Sequence, residues 1–210
     1  MSPVLAQKKP KNRYHHGDLR RALVNASVAM VDAEGAAALT LRGVARRLGV
    51  SHAAPGHHFP DRPALLAAVA ARGFTRLAEA TEQARDRAST PVERLSATGV
   101  AYVEFASKHP ELFRLMFGPD ILDAGSDPDL TTSSTRAFEV LVNAVIAALG
   151  NEATPERVRV TTTAAWSLVH GLATLFIDRR LGALGGGTPA DVKRVAREIT
   201  GLVGRALEVA

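Results

Sequence analysis

Apolar residues recur along this chain at helical spacing, with no run that alternates as a strand does. Leu19, Ala22, Leu23, Ala26 and Met30 fall at i, i+3, i+4, i+7 and i+11, which predicts a first helix capped by Asp18 and stopped by Gly35. Leu41, Val44, Ala45 and Leu48 define the inner face of a second helix, capped by Thr40 and ended by Gly49, and Arg42, Arg46 and Arg47 are left outside. Ser51 then caps a third helix that Pro60 ends after eight residues, too few to be stable alone. A fourth begins at Asp61 with Pro63 in its first turn, and buries Leu65, Leu66, Val69, Phe74 and Leu77.

Beyond residue 90, helix starts are written as a cap followed by proline: Thr90-Pro91, His109-Pro110, Asp127-Pro128, Thr154-Pro155 and Thr188-Pro189. Gly118, Gly150 and Gly182 supply stops. The run Val158 to Leu181 is mostly apolar or small, and the last helix sets Val192, Val195, Ala196, Ile199, Leu202, Val203, Ala206 and Leu207 on one stripe. No hairpin signal competes, so the class is all-α.

Charge sharpens this picture because it is uneven. Residues 1–62 hold ten Lys/Arg against four Asp/Glu, and residues 63–210 hold sixteen against seventeen. A polyanion partner for the first end alone is implied. Residues 1–13, with Pro3, Pro10, Lys8, Lys9, Lys11 and Arg13, read as a flexible basic arm that adds phosphate attraction.

The stretch from Thr40 to Phe59 forms two short helices around Gly49-Val50-Ser51, the shape of a helix-turn-helix, whose second helix fits the major groove of double-stranded DNA. Ser51, His52, Ala53, Ala54, Gly56, His57 and His58 are small or polar, and Phe59 is built for the core.

Other chemistry is thin. The absence of cysteine excludes disulfides and thiolate metal sites and fits a reducing cytoplasm. His15, His16, His52, His57 and His58 never take the His-Glu-x-x-His spacing, so no metal and no cofactor is expected. There is no Gly-x-Ser-x-Gly elbow, phosphate-binding Gly-Lys loop or dinucleotide glycine motif, and Gly185-Gly186-Gly187 reads as a link between helices, so the chain does not read as an enzyme. Neither a signal peptide nor an uncharged apolar stretch of 18 residues is expected, and no membrane role follows.

Several motifs together resemble the TetR family of transcriptional regulators. They are Tyr14-His15-His16-Gly17-Asp18-Leu19-Arg20, Leu39-Thr40-Leu41-Arg42-Gly43-Val44-Ala45, Leu48-Gly49-Val50-Ser51, His58-Phe59-Pro60-Asp61-Arg62 and Leu65-Leu66. Farther on, Pro110 to Phe117, and Trp166 with His170-Gly171, are similar to the C-terminal ligand-binding domain of that family named for its Trp, His and Gly.

The resemblance implies an all-α architecture of about nine helices: an N-terminal three-helix DNA-binding domain, then a C-terminal ligand-binding and dimerisation bundle. The expected divisions are the arm at 1–13, the helix-turn-helix domain at 14–61, a connecting helix at 62–88 and the effector and dimerisation domain at 89–210. It implies a cytoplasmic homodimeric repressor, released from a palindromic DNA operator by a small-molecule effector. By position, Thr40, Arg42 and Arg62 would contact phosphate, Ser51, His52, Ala53 and Ala54 would enter the groove, and Gly56, His57 and His58 would approach backbone or base edges.

Gly56 stands where the family usually has tyrosine, and Arg62 where it commonly has lysine. Arginine keeps the cation, whereas glycine removes an aromatic contact and costs a helix about 1 kcal/mol relative to alanine.

Phe105, Phe113, Met116, Phe117, Phe138, Trp166 and His170 could line an effector pocket or pack an ordinary core. Ala164, Gly171, Val192, Val195, Ile199, Leu202, Val203 and Ala206 could close a dimer interface or lie inside one chain. The alternative to an effector-released repressor is a ligand-independent architectural or interaction protein with a filled C-terminal core.

Overall fold

A computed structural model describes residues 16–122, 127–182 and 188–208, without the side chains of 16–18, 120, 122, 189 and 206–208. The expected arm, Gly185-Gly186-Gly187 and the side chain of Ala206 therefore lie outside the described residues. Among the described residues there are nine α-helices and no strand. These are α1 His16–Glu34, α2 Leu41–Leu48, α3 Arg62–Asp86, α4 Pro91–Lys108, α5 Pro110–Met116, α6 Pro119–Leu122, α7 Pro128–Leu149, α8 Pro155–Ile177 and α9 Pro189–Glu208.

Proline starts and polar caps set most of these ends. Asp61 accepts from the Ala64 amide at 2.8 Å, Asp127 from that of Leu130 at 2.9 Å and Thr154 from that of Arg157 at 3.3 Å. Thr90 and Glu93 cap α4 reciprocally, each side chain taking the other's amide. His109 offers no such cap to α5; its Nδ1 lies 3.1 Å from Asp32 Oδ2 on α1 instead. The first helix begins at His16, ahead of the expected cap at Asp18.

The third helix differs most from expectation. Residues 54–57 form a single 3-10 turn, and Ser51 caps nothing with its side chain. The physical reason lies in Pro55-Gly56, where proline supplies no amide to extend a helix backward and glycine gives it no propensity. Pro55 is buried, and its carbonyl accepts from the amides of His58 at 3.0 Å and Phe59 at 2.9 Å. The turn is thus pinned by an apolar plug rather than by helical length.

In α1 the buried line runs through Leu23, Ser27 and Val31, because α2, α3 and α5 all pack against that side. Leu19, Ala22 and Ala26, expected on it, are only half-buried. The 25 residues of α3 span roughly 37 Å at 1.5 Å per residue, long enough to join the helix-turn-helix to the C-terminal bundle. Helix α3 packs against α1, α4 and α7.

At the centre of the bundle is α4, against which α3, α7, α8 and α9 all pack. Gly99 allows the close approach of α9 and α8, since a Cβ there would meet Thr200 Cγ2 at 2.7 Å and Val169 Cγ1 at 3.1 Å.

The α9 stripe is largely consumed by this packing. Val192 is 5% exposed, and Val195 and Ile199 lie half-buried against the core. Val192 is thus buried within one chain, while Val195 and Ile199 keep part of their surface. By contrast α8 is long and apolar enough to cross a membrane, with a mean hydropathy of 1.4, yet only 28% of that window is buried. Residues 160–177 of this helix contain no Asp, Glu, Lys or Arg, so the expected lack of an uncharged apolar stretch of 18 residues is corrected.

Candidate DNA-binding face and ligand cavity

The helix-turn-helix presents its polar side as expected from residue type. Thr40 is exposed, and its Oγ1 accepts from the Gly43 amide at 3.0 Å, starting α2 with its outer face carrying Arg42, Arg46 and Arg47. Gly49 ends α2 in the left-handed conformation, φ 67°, which turns the chain toward the 3-10 segment. Ser51, His52, Ala53, Gly56 and His57 are exposed, while Ala54 and His58 are half-buried. A Cβ placed on Gly56 would meet nothing within 4 Å.

Arg62 does not face outward as expected for a phosphate contact. Its Nε donates to the Leu39 carbonyl at 2.9 Å and its Nη2 to the Ala36 carbonyl at 2.7 Å. Residues 36–38 form a 3-10 turn between α1 and α2 whose carbonyls need donors, and the planar guanidinium supplies two at once. Arg62 therefore fixes the loop that leads into α2.

Arg20 makes a second tie: its guanidinium carbon lies 5.4 Å from the centre of the Phe59 ring, and its Nη2 donates to Asp129 on α7 at 3.3 Å.

Between α3, α4, α7, α8 and α9 lies a cavity of about 500 Å³. Phe117, Phe138 and Trp166 line it. Phe105, Phe113 and Met116 do not: each is buried in the core around α5. His170 stands just behind the wall, its Nδ1 2.8 Å from the Tyr102 hydroxyl oxygen.

Tyr102, Phe74, Leu77 and Leu141, not singled out from sequence as pocket residues, also line the cavity. A signal existed for Tyr102, a phenol within the apolar run Val100 to Ala106, because a buried tyrosine requires a polar partner. Its hydroxyl accepts from Trp166 Nε1 at 3.4 Å. Burial pushes the Tyr102 phenol far up and holds the His170 imidazole below its ordinary value, so both are neutral near pH 7. Phe138 and Trp166 line the cavity, pack edge to face with ring centres 5.7 Å apart, and are exposed, which puts them at its rim.

On the outside of α8, Ala164 and Gly171 are exposed, and a Cβ on Gly171 would meet nothing within 4 Å. Val160 at 49% and Leu175 at 42% exposure lie along the same side, and Leu202 of α9 is 52% exposed. Val203 instead lines the cavity.

A family model described as bacterial regulatory proteins, tetR family, matches residues 23–69, and one described as tetracyclin repressor-like, C-terminal domain, matches residues 95–207. The HTH-type transcriptional regulator BetI of Rhizobium meliloti (strain 1021) is 36% identical over 78 residues, a match spanning 37% of this chain and 38% of that protein. A solved structure of a protein with unknown function from Rhodococcus sp. RHA1 is 34% identical with a TM-score of 0.74, covering 93% of this chain and 98% of that one. A regulatory protein in the tetR family from Rhodococcus RHA1 shares the fold, with 20% identity, a TM-score of 0.64 and coverage of 90% and 96%.

Proposed function

Because the chain belongs to the TetR family of bacterial transcriptional regulators, we propose that it is a homodimeric repressor released from a palindromic DNA operator when a small molecule occupies the cavity in its C-terminal bundle. The observation that carries this reading is the course of α3. Arg62 at its start holds the loop leading into α2, and Phe74, Leu77 and Thr81 farther along it line the cavity. Arg62 and Phe74 are twelve residues apart, roughly 18 Å along one rigid helix.

A ligand that presses on Phe74 moves the same element that positions the DNA-facing residues. Two copies on an operator place their recognition turns one helical turn apart, roughly 34 Å, and a ligand that prefers another spacing weakens binding. Tenfold weakening requires about 1.4 kcal/mol of differential affinity.

Thr40, Arg42, Ser51, His52, Ala53, Ala54, Gly56, His57 and His58 form the DNA-facing set in this proposal. The exposed face of α8, with Val160, Ala164, Gly171 and Leu175, supports pairing with a second copy, joined by Leu202. Burying that face removes exposed apolar surface from water, and its small residues permit close helix approach. The cavity argues against the alternative of a filled C-terminal core. The protein acts in the cytoplasm, without a catalytic step.

Selection of genome fragments by the purified protein, with non-specific DNA as competitor, tests this. Recovery of one palindromic sequence is expected, and binding indifferent to sequence would refute it.

A further inference from the structure

Among the described residues that line the cavity there is no lysine, arginine, aspartate, glutamate or histidine. A carboxylate or ammonium drawn into it would lose its hydration and meet no opposite charge. Most aliphatic hydroxyls of the wall are turned back onto their own helices, that of the exposed Thr135 excepted. Thr81 donates to the Leu77 carbonyl at 2.9 Å, Thr98 to that of Arg94 at 2.9 Å, Ser134 to that of Thr131 at 3.1 Å and Thr200 to that of Ala196 at 2.8 Å. Ser96 and Thr200 share a further bond at 2.8 Å.

The Tyr102 hydroxyl is different. It is bonded sideways to Trp166 and His170 rather than to a main-chain carbonyl, at a point where the wall is otherwise aromatic and aliphatic. When Nδ1 of the neutral His170 carries the proton, Tyr102 accepts from both neighbours and its own O–H is free to donate to a ligand.

From this we infer that the cavity takes an uncharged, mainly apolar molecule with one neutral oxygen, such as an alcohol, ketone or ester, set against the Tyr102 hydroxyl. The inference rests on the reading of the cavity as an effector site and names the ligand class that site selects. A volume of about 500 Å³ lies within the range of pockets for drug-sized ligands, roughly 300–1,000 Å³.

Trp166 is the chain's only tryptophan, so its emission reports occupancy in the full-length protein. Octan-1-ol, octanoate and octylammonium have the same chain length and differ in charge. Octan-1-ol is expected to change the emission saturably, with the two ions binding at least about tenfold more weakly. Either ion binding as tightly as the alcohol, or no saturable response to the alcohol, overturns the inference.

Ala137→Phe and, as a second filling variant, Ser134→Leu each place bulk at the cavity wall. Loss of the response with helical circular dichroism intact is expected, and a response unchanged in both moves the site elsewhere and overturns the inference. Tyr102→Phe should weaken octan-1-ol about three- to tenfold and leave octane unaffected, whereas equal loss for both would remove the hydroxyl's proposed role. Alcohol binding without any change in operator affinity would leave the ligand class standing and defeat the effector reading.

Discussion

Arg62 Nε donates to the main-chain carbonyl of Leu39 at 2.9 Å, tying the first turn of α3 to the loop that launches α2. The same guanidinium reaches the Ala36 carbonyl, so one side chain holds two points of the loop between α1 and α2. Replacing Arg62 by alanine is expected to cost about 1.5–3 kcal/mol of stability, since two charge-assisted bonds to partly buried carbonyls are lost. Lysine should restore little, because an ammonium cannot match the planar fork. Chemical denaturation of the two variants checks this; full rescue by lysine would indicate a simple charge effect.

Gly56→Tyr should tighten operator binding. The position is exposed and open, with no heavy atom near the new Cβ, so a ring can extend from the 3-10 turn without disturbing Pro55 beneath it. Fluorescence anisotropy with the selected operator measures the change. Unchanged or weaker binding would show that this chain reads DNA without an aromatic residue there.

Stability should fall as pH is lowered through 6.5 and below, in part through His170. Burial depresses its folded pKa below the unfolded value of 6.5, so the unfolded chain binds the proton first and is favoured as acid is added. The contribution is fully present above that unfolded value. Thermal melts of the wild type and His170→Gln between about pH 7.5 and 5.5 test the sign: the variant should have the shallower dependence. A steeper one would contradict the assignment.

Ala164→Glu and Leu175→Glu should each yield monomers while preserving helix content. Both positions lie on the exposed side of α8, where a carboxylate is harmless in one chain and costly when two such faces meet. Sedimentation gives the answer at micromolar concentration. Two dimeric variants would move the interface away from α8.

Local signals in the chain were the most legible. Asp61-Arg62-Pro63 and Thr90-Pro91-Val92-Glu93 dictate helix starts through side chain to backbone bonds three residues long, and those bonds are present. Helical spacing likewise showed that Val192, Val195 and Ile199 share a face. It carried no information about which neighbour packs against α9, and α4 does so.

The cavity was half legible for the same reason. Phe105, Phe113 and Phe117 are all aromatic residues on α4 or near α5, and only the packing of α5 against α1 and α3 decides that the first two enter the core and the third borders space. The recognition turn shows the reverse limit. Pro55-Gly56 is a clear local signal against a full helix, outweighed by the pattern of motifs on either side.

The dependence of DNA grip on cavity occupancy is read most directly by anisotropy titration of the selected operator with and without octan-1-ol, at a concentration that saturates the Trp166 response. The proposed action of α3 predicts at least tenfold weaker operator binding with the cavity filled, about 1.4 kcal/mol. Equal operator affinity with the cavity empty and filled would contradict it.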